Sequence, residues 1–168
     1  PTQIESPYVK QLIFNADDFG LDTATNSAII RAHREGVLTS TSLMVNEPAA
    51  PEAISRAHEN PHLAVGLHLV FSFGDSALGR PALSALTHPS GRFFDSPATA
   101  GIRAFLHPAA RRQIQNEARK QFIRFAETGL TWSHLDGHQH LHMHPVIWDT
   151  ALRLCDEFRL GAVRIPFE

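Results

Sequence analysis

Apolar and polar positions along this chain follow two periods that take turns. Residues 11–16 (QLIFNA) form a short apolar run that predicts a first strand. The composition of residues 23–35 predicts a helix, with Asp22 or Thr23 able to cap its start and Gly36 ending it. Residues 37–45 (VLTSTSLMV), rich in β-branched side chains, predict a second strand. Residues 48–59 predict a helix with proline at its start. Residues 63–70 read as a third strand whose continuous apolar run suits burial on both faces. From 71 to 107, Gly74, Gly79, Pro81, Pro89, Gly91 and Pro97 interrupt any period, and we expect a long excursion over the surface. Residues 108–128 predict a long helix with Ile114, Ala118, Phe122 and Phe125 on one stripe, closed by Gly129. A short fourth strand follows at 130–135. A helix spans 145–159, with Ile147, Ala151, Leu154, Cys155 and Phe158 inward, and a fifth strand spans 162–165. This alternation predicts an α/β fold of parallel strands with helices packed outside, in a barrel or an open sheet.

Three segments carry the chemistry, and each falls at the carboxyl end of a predicted strand, where α/β folds build their sites. HLDGHQHLHMHP (134–145) holds five of the eleven histidines; NADDFG (15–20) has adjacent carboxylates; VGLHLV (65–70) has one histidine in an apolar run. Imidazoles plus a carboxylate are the usual ligands of a catalytic divalent ion. Asp17 and Asp18 point different ways from an extended backbone, so one can bind metal while the other faces bound water. Taken alone, the pair reads as a helix cap and a solvated loop residue. Taken alone, His68 reads as a hydrogen-bonded core residue; its place beside two other candidate segments makes it a ligand candidate. His138, His140, His142 and His144 are spaced by two, which in an extended segment keeps alternate side chains on one side. A turn at Asp136-Gly137 would then direct His138 into the mouth of the site. One ligand, one or two residues touching substrate or shuttling protons, and a structural remainder are expected from this cluster. Asn15 is a candidate to orient Asp17, and Arg164 to reach the site from the fifth strand. Gln139 is expected to face away. The DFG tripeptide at 18–20 has no Gly-rich loop or catalytic-loop partner, and a kinase reading is discarded.

At 168 residues the chain is the size of one domain, and we expect residues 1–168 to form it. A net charge of −2 without blocks of like charge gives no reason to propose nucleic acid or an anionic membrane as partner. One cysteine, Cys155, excludes an intramolecular disulfide and a cysteine-based zinc site; buried packing is its expected role. No window approaches the ~20 apolar residues that span a bilayer. The opening PTQIESPYVK has no hydrophobic signal core, so a cytoplasmic protein is expected. The lack of an initiator Met, and the stop at IPFE after a strand-like run, suggest a piece of a longer protein. A homodimer is left open.

On NADDFG (15–20), GVLTSTSLMV (36–45), VGLHLV (65–70) and HLDGHQHLHMHP (134–145), the chain resembles the YdjC-like carbohydrate deacetylases. On LMVNEPAA (43–50), GRF (91–93), AGIRAFLHPAARRQ (100–113) and AVRIP (162–166), it is most similar to the hopanoid biosynthesis-associated branch. The resemblance implies a deformed (β/α) barrel, lacking its last part here because family members run on past the fifth strand. It implies removal of an N-acetyl group from an N-acetylglucosamine-containing oligosaccharide or hopanoid glycolipid; a lipid substrate would bring the protein to the membrane surface. It implies one divalent ion held by Asp18, His68 and His138, with Asp17 as general base. We expect His140 to protonate the leaving amine, and Asn15, His142 and Arg164 to serve substrate binding. Two imidazoles and a carboxylate suit Zn2+ on ligand softness, whereas the family is described with Mg2+, and the ion is left open. The competing readings are a metal-dependent phosphoesterase and a non-catalytic metal- or lipid-binding module.

Overall fold

The computed structural model describes residues 12–166. Four strands, β1 (Asn15–Phe19), β2 (Ser40–Leu43), β3 (Ala64–Leu69) and β4 (Trp132–Gly137), lie in chain order, each parallel to the next. Parallel neighbours need long crossovers. These are α1 (Thr23–Glu35), α2 (Ala50–His58), and the pair α3 (Pro97–Leu106) and α4 (Pro108–Glu127); α5 (Pro145–Glu157) follows β4. The architecture is α/β, the arc of a deformed (β/α) barrel.

The two faces of the arc divide the work. Leu43, Leu67, Leu69 and Leu135 are fully buried, in one hydrophobic cluster with Ile114, Phe122 and Phe125 of α4. Trp132 joins Phe122, Phe125 and Phe158 in a ring cluster with centroids 4.3–5.8 Å apart. Alternation then sends Asn15, Asp17, Ser42, His68, His134 and Asp136 to the other face, where they bond to one another. The β1–α1 turn is fixed by Asn26, fully buried, which accepts from Gly20 N (2.8 Å) and donates to Ala49 O (3.1 Å). Asp22 caps α1 by accepting from Thr25 N at 2.7 Å.

Four expectations need correction. β1 starts at Asn15, so Asp17 and Asp18 lie within it; Gln11, the expected start, falls outside the described residues. The register slips between Ala16 and Phe19, with Asp18 at φ 63°, so the strand bulges where the carboxylates sit. The excursion at 71–107 contains α3, capped by the Ser96 side chain on Thr99 N (3.2 Å) with Pro97 in its first turn. Residues 138–143 form a 3₁₀ segment interrupted at Gln139 and His140 (both φ 54°), where an extended run was expected. The fifth strand reduces to one isolated parallel bridge, Leu135 to Val163, with Leu135 N on Ala162 O and Arg164 N on Leu135 O, each 2.9 Å. Among the described residues no helix is long and apolar enough to cross a membrane.

Candidate metal centre

The bulge in β1, the end of β3 and the exit of β4 converge. Asp18 Oδ1 lies 3.2 Å from His68 Nε2 and 2.9 Å from His138 Nδ1, and the two imidazoles meet at a near-perpendicular 76°. Groups bound at about 2.0–2.2 Å to a common ion stand roughly 3 Å or slightly more apart; Asp18 Oδ1 has that spacing from both nitrogens, and the three ligand atoms all lie within 4.8 Å of one another. Three residues supply them, each from a different strand or its exit.

Asp136 completes the arrangement from behind. Its Oδ1 accepts from His68 Nδ1 at 2.6 Å and its Oδ2 from Ser42 Oγ at 2.8 Å, in a position 1% exposed. A carboxylate on the far nitrogen of a ligating histidine fixes its tautomer and ring plane and raises its basicity. Burial alone would lower the His68 pKa; its bonds to Asp136 and Asp18 and their charges outweigh burial, and it is pushed up to about 9. Hydrogen bonds from His138 and then His68 hold the Asp18 carboxyl far below the usual carboxylate range, against its partial burial. Burial works against ionised Asp136 too, but its bond and charge interaction with His68 win and its pKa falls. Two carboxylates thus flank a buried imidazole, and the shared hydrogen bonds lower their pKa values and raise that of His68. Asp17, His68 and Asp136 also bring ligand atoms within 4.8 Å of one another. There, however, Asp136 already binds His68 Nδ1, and Arg164 holds Asp17, so the first trio is the better donor set.

Asp17 is held on the polar face. Arg164 Nη1 donates to its Oδ1 (2.8 Å) and Oδ2 (3.1 Å) and to Asp136 Oδ2 (3.3 Å), and Asn15 Nδ2 donates to Asp17 Oδ1 (2.8 Å). Arg164 reaches the site from the bridge at Val163, although no full strand carries it there. His134 lies beneath. Since Ser42 donates to Asp136, Ser42 Oγ accepts from His134 Nε2 (3.0 Å), which leaves His134 Nδ1 to accept from Ser133 Oγ (2.9 Å). Burial lowers the His134 pKa, in keeping with that neutral tautomer.

The remaining histidines separate. His142, expected to touch substrate, is fully buried; its Nε2 donates to Arg164 O at 2.9 Å, so it holds the chain that carries Arg164. His140 is half-buried, its ring 6.2 Å from that of His142. His144 stands at the N-cap position of α5 without a side-chain capping bond, its ring beside Gly101 of α3, and Gln139 is exposed. The expected one-sided row of imidazoles does not form, because the 3₁₀ segment turns successive side chains apart. A cavity of about 780 Å³ opens at the amino ends of the strands, lined by Leu12, Ile13, Thr39, Ala64 and Val163. It meets the polar face at Asn15, His134 and Arg164, away from the trio.

Asp136 is a residue of the candidate site that the sequence did not single out, having been taken as part of a turn. Its signal was parity: in a strand running two residues further, Asp136 shares a face with His134. Glu47, 4% exposed and feeling the charge of His138, was also missed; burial raises its pKa.

An α/β barrel arc with a two-histidine, one-carboxylate cluster at its carboxyl edge defines the class. The chain belongs to the YdjC-like protein family, whose pattern matches residues 11–168. It is 40% identical over 157 residues to a carbohydrate deacetylase of Brevibacillus brevis (strain 47), covering 94% of this chain and 60% of that protein. A carbohydrate deacetylase of Vibrio campbellii is 37% identical over 150 residues, covering 89% of this chain and 57% of that one. The crystal structure of a candidate cellobiose-phosphate cleavage protein from Enterococcus faecalis V583 superposes with a TM-score of 0.76 at 30% identity, over 89% of this chain and 57% of its own. The chain therefore spans less than two thirds of the length of these relatives.

Proposed function

We propose that this protein is a metal-dependent carbohydrate N-deacetylase acting on an N-acetylglucosamine-containing substrate, an oligosaccharide or a hopanoid glycolipid. The observation that carries the reading is the convergence of Asp18, His68 and His138, backed by Asp136, with a second carboxylate, Asp17, beside it. The carbohydrate deacetylases among its relatives support the amide-hydrolase choice. Asp18 Oδ1, His68 Nε2 and His138 Nδ1 would hold the ion; oxygen and imidazole donors suit Zn2+ or Mg2+, with the nitrogens favouring zinc. When bound, it would supply a Lewis acid for the acetyl carbonyl and a lowered pKa for water.

The chain's own groups do the rest. Asp17 accepts the proton of the attacking water, and its Oδ1 is the more tightly held oxygen, through Asn15 and Arg164, leaving Oδ2 the freer to act. Arg164 keeps Asp17 aimed. Asp136 holds His68 by its far nitrogen. His140 is the proposed donor of a proton to the leaving amine nitrogen, so that the amide breaks to acetate and a free amino sugar. If the substrate is a glycolipid, the protein works at the membrane surface.

Acetate release from N-acetylchito-oligosaccharides and from an N-acetylglucosaminyl lipid, with zinc or magnesium added, tests the reading. Acetate release that stops on chelation is expected. Phosphate release from sugar phosphates without acetate would replace it with the phosphoesterase reading, and metal uptake without turnover of either would leave a binding module.

A further inference from the structure

Phe73 stands out beside the metal trio. It is 41% exposed, yet its ring lies 6.4 Å from that of His138, nearly perpendicular at 78°. Its backbone adopts φ 58°, a region that favours glycine and asparagine and penalises a bulky side chain. A strained, exposed aromatic is not held by its own preferences, so its surroundings must hold it.

They do so from two sides. Phe73 N donates to Phe94 O (3.3 Å), Phe93 N donates to Gly74 O (3.0 Å), and Arg92 Nη2 donates to Phe73 O (3.0 Å). Two residues on, Asp75 N donates to Glu47 Oε1 (2.7 Å), Asn46 Nδ2 donates to Asp75 O (3.2 Å), and Arg92 Nη1 pairs with Asp75 Oδ1 (2.8 Å). Gly74 lets Glu47 come this close: a Cβ there would overlap Glu47 Oε1. The short segment is pinned by the 92–94 hairpin on one side and the residues after β2 on the other, and the outcome is a rigid apolar ring in water beside a ligand.

We infer that Phe73 is a binding platform for the apolar C–H face of the acetylamino-sugar ring, an assignment that rests on the deacetylase reading. The amide must reach the trio, and the sugar is joined directly to the amide nitrogen, so the pyranose ring lies next to the ligands on their solvent side. Phe73 is the exposed aromatic in contact with His138 there. The C–H groups of a pyranose face carry slight positive charge and meet the negative face of an aromatic ring favourably. The rigidity of the segment means little conformational freedom is lost on binding.

The test uses the full-length protein loaded with zinc, with N,N′-diacetylchitobiose as the probe, in Phe73→Ala and Phe73→Trp. Zinc affinity should match the parent in both. Phe73→Ala should raise KM and the sugar dissociation constant by roughly threefold to tenfold, with a smaller change in kcat. Phe73→Trp should restore binding, and its added indole should report sugar saturation by a fluorescence change that the parent lacks. A parental KM in Phe73→Ala, or weakened zinc binding that accounts for its loss, would overturn the assignment. If Phe73→Ala does not fold, a Phe73→Trp whose fluorescence ignores a sugar that it turns over does the same. Failure of the parent itself to bind or deacetylate the sugar is distinct, and removes the deacetylase reading first.

Discussion

Asp17 and Asp136 are both carboxylates beside the same histidine network, yet their surroundings assign them different work. Asp136 is closed off from water, with one oxygen on His68 and the other on Ser42 and Arg164. Asp17 is partly open and held by Arg164 and Asn15. Substitution should separate them. Asp17→Asn should cut deacetylation by at least about 10²-fold, the low end of a general-base contribution, while metal affinity by titration calorimetry stays near parental. Asp136→Asn keeps the shape but loses the charge on His68 Nδ1, and should weaken metal binding about 10–100-fold. Equal effects of both substitutions on metal affinity would contradict the division. Elsewhere, Cys155 is a packing residue: burial pushes its thiol up to about 11, far from a reactive thiolate.

Among the elements, α4 shows a buried carboxylate with a structural task. Glu117 is fully buried; it accepts from Ala77 N (2.7 Å), Leu78 N (3.0 Å) and Gln121 Nε2 (2.8 Å), fastening the 71–107 excursion to the helix. Burial raises its pKa above the usual 4.5, with those hydrogen bonds opposing. A raised acid is ionised more readily in the unfolded chain. Stability is therefore greatest below the unfolded value and declines as pH rises through the folded one. Glu117→Gln lacks this dependence, so its stability relative to the parent should improve from pH 4 to 7 in thermal melts; a flat or falling difference would contradict the assignment. On β3, Gly66 leaves room for the His134 ring, which a Cβ would overlap. Gly66→Ala should cost about 1–3 kcal/mol by denaturant unfolding, and parental stability would show that the ring has room to move.

The elements also show what was legible in advance. α1 matches its expected span because Asp22 and Gly36 bracket it chemically. α4 differs by one residue at its end, since a proline and an apolar stripe define it. The signals for α3, Ser96 as cap and Pro97 after it, were present, but Gly101 and the surrounding glycines and prolines masked its period. The row of histidines misled more. A spacing of two is a strand signal only if the backbone is extended, and the left-handed residues at 139 and 140 belong to no sequence rule that these side chains announce. The trio itself was legible because each member closes or follows an apolar run; Asp136 was not, because moving β4 by two residues changes a turn residue into a buried one.

At the scale of the whole molecule, the parallel order β1-β2-β3-β4 performs one task for the site. Residues 18, 68 and 138 are distant in sequence, and the units that begin with β1, β3 and β4 bring them to one edge. The apolar face packs on α4, and the polar face holds Asn15, Ser42, His134 and Asp136 as a bonded support beneath the candidate trio. Everything proposed about chemistry depends on an ion resting at that edge. Anomalous diffraction from crystals grown with zinc locates it most directly. One strong peak is expected, within about 2.0–2.2 Å of Asp18 Oδ1, His68 Nε2 and His138 Nδ1. A peak among His140, His142 and His144, or between Asp17 and Asp136 with His138 turned away, would contradict it.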